Sequence, residues 1–196
     1  CAYASLVWVE ESSVHRVTPE CESFGKCGGC VFWHMDYACE LEQKRRRVQD
    51  ALSRIGGIDF PDLQITGSES IYGYRNKVQF PGQVQNGKAV AGFYKAGSHT
   101  VIPITDCKIQ PGVAKTIRAA VLSWMEKENV PAYDERTHTG LVRHIYLRYG
   151  AKSGQTLVCT VANCEALPKK KALVREILAA AVNVTGIVAN YNTKKS

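Results

Sequence analysis

The chain has 196 residues, enough to bury a core without covalent staples, and its 25 Lys and Arg against 18 Asp and Glu leave a net charge of +7. No run of eighteen apolar residues occurs, and "CAYASLVWVEESSVHRV" has neither a basic lead nor a small-residue cleavage site, so a soluble, unexported, cytoplasmic protein is expected. Five of the eight cysteines (Cys1, Cys39, Cys107, Cys159, Cys164) are scattered through ordinary globular sequence, which argues against a secreted disulfide scaffold. The basic balance, with a pI near 9.0, concerns partners rather than fold and favours a polyanion such as RNA.

In chain order, Ala2 to Val17 has apolar residues around Leu6, Val7, Trp8 and Val9, then "EESS" and "VHRV", which predicts a strand, a turn and a short strand. That is too little for a domain and reads as the tail of one. After the cluster "CESFGKCGGC", "YACELEQKRRRVQDALSRIGG" spaces Leu41, Val48, Leu52 and Ile55 along one side of a helix that Gly56-Gly57 stops. Lys44, Arg45, Arg46 and Arg47 fall on its other side as a solvated face.

From Ile71 to Ile104 the pattern is strand-like, and Asn86-Gly87 between apolar-rich flanks marks a type I′ hairpin, whose two central residues need positive φ. "PGVAKTIRAAVLSWMEKEN" then places Val113, Ile117, Val121 and Trp124 as a helical stripe, with Pro111 near its start. "LVRHIYLRYG" and "QTLVCTVAN" predict two strands joined by "AKSG", followed by a helix at "KKKALVREILAAA" and a last strand at "GIVANYN". The fold class is α+β, an antiparallel sheet with flanking helices. The sequence stops at "NTKKS" directly after a strand, and with the fragmentary start this reads as a piece of something longer.

Cys21, Cys27 and Cys30 form a C-x5-C-x2-C run in which Gly28 and Gly29 let the backbone turn tightly enough for two thiolates to face one centre. A structural zinc site would bring a second C-x2-C or a histidine pair, which is missing; three clustered cysteines and a remote fourth suit an iron–sulfur cluster better, with zinc and coincidentally buried thiols as alternatives. For the fourth thiol, Cys39 falls early in a helix, and Cys159 and Cys164 flank a valine-rich strand as buried cysteines do. Cys107, in "ITDCKIQP" between a strand and a helix, occupies a loop position able to reach a metal.

Strand alternation sets Arg75, Lys77 and Gln79 on one face with Asn76, Val78 and Phe80 on the other. In "RHIYLRY", His144, Tyr146 and Arg148 lie opposite Arg143, Ile145, Leu147 and Tyr149. Cations interleaved with a flat ring suit RNA, whose phosphates attract positive charge and whose unstacked bases seek an aromatic plane. The candidate RNA contacts are Arg75, Asn76, Lys77, Gln79, His99, His144, Tyr146 and Arg148; an ordinary solvated sheet face is the plain alternative. His34 is read as a packing residue near the cluster, while His15 and His138 carry no signal.

"CESFGKCGGCVFWHMDYACELEQKRRRV", "YGYRNKVQFP", "GFYKAGSHTVIPITDCKIQP", "RHIYLRYG" and "GIVANYNTKKS" together resemble the bacterial RNA uracil-5-methyltransferases, in the branch that methylates 23S ribosomal RNA, over nearly the whole chain. The resemblance implies a [4Fe–4S] cluster on Cys21, Cys27, Cys30 and Cys107, and a central domain at 21–196 preceded by the remnant of an RNA-binding β-barrel at 1–20. It also implies S-adenosylmethionine as cofactor of the full-length protein, with catalytic residues and cofactor site downstream of residue 196, so that this segment by itself transfers no methyl group. A monomer acting on RNA, without membrane contact, is expected. Where the family usually reads "GGCQLQH" this chain has "GGCVFWH", so Val31 and Trp33 stand in place of glutamines. No dinucleotide-type Gly-rich turn, phosphate loop or nucleophile elbow occurs. A free-standing iron–sulfur or zinc RNA-binding module is the competing reading.

Overall fold

A computed structural model describes residues 6–195. They cluster into two compact units: the described part of Cys1–Phe24 with Cys30–Glu69, and Gly25–Gly29 with the described part of Ser70–Ser196.

The first, helical unit carries α1 (Tyr37–Asp50), continued by a single π turn over Ala51–Ile55. Asp36 caps α1, its Oδ1 accepting the Cys39 N–H at 2.7 Å. Nothing in α1 is buried, and of the predicted stripe Val48 and Ile55 are 49% and 88% exposed. The wider π turn takes Ile55 off the 3.6-residue period on which that stripe was read. The basic run is paired within the helix: Lys44 with Glu40, and both Arg45 and Arg46 with Glu42, at three- and four-residue spacing.

The strands expected in the N-terminal segment do not form among the described residues; Ala2 to Ser5 lie outside them. Residues 6–17 contribute one isolated bridge, Arg16 to Met35, and Leu6, Val7 and Trp8 are exposed. A strand needs a neighbour to satisfy its backbone donors and acceptors, and apolar content alone does not supply one.

The second unit is a six-stranded sheet in the order β3-β2-β1-β4-β5-β6. Its strands are β1 (Lys77–Gln85), β2 (Lys88–Tyr94), β3 (Val101–Pro103), β4 (Val142–Tyr149), β5 (Thr156–Ala162) and β6 (Val184–Tyr191). Asn86 and Gly87 both take positive φ, 50° and 76°, in the β1–β2 hairpin, as the turn chemistry predicted. The pairs are antiparallel except the last: β6 runs parallel to β5. Helix α3 (Lys170–Ala180) makes the crossover that parallel pairing requires. Helix α2 (Gly112–Lys127) buries Ile117, Val121 and Trp124 completely, with Val113 partly buried, and the Trp124 indole N–H donates to the Lys169 carbonyl at 3.3 Å. These side chains join Leu173 and Ile177 of α3 and Val78, Phe80, Ile145, Leu147 and Val158 of the sheet in one core.

Candidate nucleic-acid interface

The β1–β4 register sets Val78 opposite Leu147 and Phe80 opposite Ile145, all four within 1% of full burial. The alternate residues therefore share the other face: Lys77 opposite Arg148, and Gln79 opposite Tyr146. Lys77, Gln79 and Arg148 are exposed and Tyr146 is half-buried. The Lys77 ammonium and the Arg148 guanidinium lie 5.6 and 5.7 Å from the centre of the Tyr146 ring, within cation–π range, so the phenol organises both cations. Two strands read separately in the sequence thus bring their basic and aromatic residues to one surface.

The other candidates are placed differently. Arg75 precedes β1, so strand alternation does not govern it; its N–H donates to the Ile109 carbonyl at 3.0 Å and its guanidinium to the Gly29 carbonyl at 3.3 Å. Asn76 is exposed, and its carbonyl accepts the Tyr149 N–H at 2.8 Å. His144 shares the face by register, opposite Pro81, but is half-buried, with Nδ1 enclosed and unpartnered among the described residues. Burial, assisted by Arg143 and opposed by Glu135, lowers its pKa from 6.5, so at neutral pH it is an uncharged imidazole rather than a phosphate-binding cation. His99 is exposed, stacked on Tyr94 with ring centres 5.1 Å apart, and its Nδ1 lies 2.7 Å from Glu135 Oε2.

Two residues escaped the sequence reading. Arg143, 6% exposed, stacks 4.4 Å over the Tyr133 ring and donates to the carbonyls of Asn192 and Lys194 at 3.0 and 2.8 Å. A cation among Val142, Ile145 and Leu147 on the apolar side of a strand was the available signal. His138, in left-handed backbone at φ 58°, joins the Tyr133 hydroxyl (2.7 Å) to the Thr193 carbonyl (3.1 Å), and no local pattern marks that role.

Cys21 and Cys30 belong to the helical unit, Cys27 and Cys107 to the sheet unit; all four are half-buried and outside any disulfide. Cys27 forms an antiparallel bridge with Lys95, and the Gly28 N–H donates to the Tyr94 carbonyl at 3.0 Å. A Cβ at Gly28 would come within 3.2 Å of Ala96 backbone, and the Gly29 N–H points at Cys27 Sγ from 3.3 Å, so both glycines are set by close approach. Cys107 lies in the loop between β3 and α2, its carbonyl accepting the Gln110 N–H. The donor set, thiols with a backbone N–H aimed at one sulfur, is chemically that of an iron–sulfur ligand loop. Among the described residues, however, no three His, Cys, Asp or Glu side chains are grouped so as to hold a metal ion. Cys159 and Cys164 have thiol pKa values raised by burial, as inert cysteines do.

No protein-family model matches the chain. It is 39% identical to a protein of Clostridium tetani named uncharacterized RNA methyltransferase, over 100% of this chain and 42% of that protein. Proteins of the same description from Clostridium acetobutylicum and Bacillus cereus are 37% and 36% identical, each over 100% of this chain and 43% of the relative. The chain thus spans about two-fifths of the length of the relatives it matches. In fold it resembles part of the crystal structure of Pyrococcus abyssi tRNA (uracil-54, C5)-methyltransferase in complex with S-adenosyl-L-homocysteine, with a TM-score of 0.70 and 22% identity, over 95% of this chain and 40% of that one. The α+β fold read from the sequence is that of a segment of this methyltransferase structure.

Proposed function

We propose that the chain is the RNA-contacting segment of an S-adenosylmethionine-dependent RNA methyltransferase acting on C5 of uridine in 23S ribosomal RNA. Similarity of the whole of this chain to about two-fifths of proteins named RNA methyltransferase supports the reaction class, and the fold neighbour, a uracil-C5 enzyme bound to S-adenosyl-L-homocysteine, supports the base and the cofactor. The sequence motifs favour the ribosomal substrate. The observation that carries this chain's own part is the register-locked face of Lys77, Gln79, Tyr146 and Arg148. There the cations neutralise phosphates, the ring accepts an unstacked base and the Gln79 amide reaches a base edge. No residue of this segment is assigned to methyl transfer; its work is binding and orientation. The same reading makes the intact protein a cytoplasmic monomer.

The cluster belongs to this proposal as well, with Cys21, Cys27, Cys30 and Cys107 as ligands of a [4Fe–4S] centre. Its support is the C-x5-C-x2-C spacing, the donor chemistry and the lack of any buried side chain among the described residues of the helical unit. When bound, the centre supplies folding free energy to a region without a core of its own.

The test is incubation of the intact protein with methyl-labelled S-adenosylmethionine and unmodified 23S ribosomal RNA, reading out 5-methyluridine. Label in that RNA supports the proposal, label confined to transfer RNA moves the substrate, and no label in either overturns it. Anaerobic purification addresses the cluster: iron with labile sulfide is expected, whereas zinc in their place favours a zinc-stabilised binding module.

A further inference from the structure

Within the sheet unit, a shallow groove runs between the turn joining β2 to β3 and the glycines of the C-x2-C loop, lined by Gly28, Gly29, Phe93, Tyr94, Lys95 and His99 among others. We propose that this groove holds one unpaired nucleobase of the RNA, stacked on the Tyr94–His99 pair, with Lys95 on the adjoining phosphate. The proposal rests on the RNA reading above and goes beyond it by assigning a second contact, built by different strands from the β1–β4 face.

The geometry is that of a stacking platform. The two rings are 22° from parallel with centres 5.1 Å apart, and both side chains reach the surface, Tyr94 at 37% exposure. Glu135 restrains the His99 ring through the 2.7 Å contact at Nδ1, so little rotamer freedom remains to be lost on binding. Gly28 and Gly29 line the same groove with backbone and no side chains, held beside β2 by the Gly28 to Tyr94 hydrogen bond and the Cys27–Lys95 bridge. Gly97, in the turn at φ 68°, adds no side chain to the groove. A groove that offers aromatic planes and bare backbone suits a flat ring, whereas an anion alone would call for more cations than Lys95 among these lining residues. Every base has a π-face, so such a platform selects unpaired bases without selecting their identity.

The experiment uses the intact protein with single-stranded RNA carrying one 2-aminopurine, and a fully paired duplex as reference. Tyr94→Leu and His99→Ala are each expected to weaken single-strand binding on the order of tenfold and to abolish 2-aminopurine quenching, with the salt dependence unchanged because no phosphate contact is lost. Tyr94→Phe, which keeps the ring, should match the unaltered protein. His99→Ala provides a variant whose exposed position is independent of the core. Wild-type binding and quenching in both Tyr94→Leu and His99→Ala would overturn the groove while leaving the RNA reading intact, and so would equal losses on single strand and duplex. Failure of the unaltered protein to bind any RNA would overturn the RNA reading itself.

Discussion

Every buried side chain among the described residues lies in the sheet unit, between Val78 and Ile177, whereas the helical unit with α1 has none. Burial of a Leu- or Phe-sized side chain stabilises by about 1.5–3 kcal/mol, and the sheet unit gathers many of these around Trp124. The helical unit relies on a capped helix of 14 residues and exposed ion pairs, and helices of about 12–15 residues are marginal in water without packing. The difference teaches that the helical unit has no core of its own, so it is the region to which the proposed cluster would supply folding free energy.

If the proposed cluster is bound, its removal is the harshest way to break the contrast. After treatment with an iron chelator under oxidising conditions, hydrogen exchange should show loss of protection throughout α1 while amides of β1, β4 and β5 remain slow. Uniform loss in both units would contradict the comparison. The next largest effect is expected of Trp124→Ala, which should cost the sheet unit about 3–5 kcal/mol in denaturant unfolding. A cost below 1 kcal/mol would mean that this core does not hold the sheet.

Acid should separate the units by pH window. The lowered pKa of His144 means that the unfolded chain takes up its proton first, near pH 6.5. Its contribution to the sheet unit is therefore complete above pH 6.5 and is lost as pH falls through the lower native value, and His144→Gln should flatten that slope. In the helical unit, hydrogen bonds from Arg45 and Arg46 hold Glu42 at about 2, and the Cys39 N–H followed by His15 lowers Asp36. Their contribution is complete above the ordinary carboxylate range and is lost as pH falls through their lowered native values, about 2 for Glu42. This is the smallest effect, since both groups reach solvent and salt screens them; helicity of α1 measured against pH at low and high salt checks it.

The sheet was largely legible because its signals are local: alternation fixed the buried faces of β1 and β4, and Asn86-Gly87 fixed the hairpin. Joining the two candidate faces required the β1–β4 register, which places Lys77 beside Arg148 and is not local information. The parallel direction of β6 was hidden because direction depends on where α3 returns the chain, not on the strand's own residues. The N-terminal strands failed for the opposite reason: Leu6 to Val9 are apolar but join no ladder, and the VHRV segment pairs through the single Arg16–Met35 bridge among the described residues. The facing of Arg75 could not be read by alternation because β1 begins two residues after it. Tyr94 was overlooked because a strand-end tyrosine becomes a platform only when the turn folds His99 against it.

The most direct measurement is the slope of RNA affinity against salt concentration for the intact protein and its Lys77→Ala/Arg148→Ala variant, on one single-stranded RNA. If the β1–β4 face meets phosphates, the variant should bind more weakly and its log–log slope should be shallower by about 1.4, two contacts at about 0.7 each. An unchanged slope with unchanged affinity would show that RNA does not lie on this face.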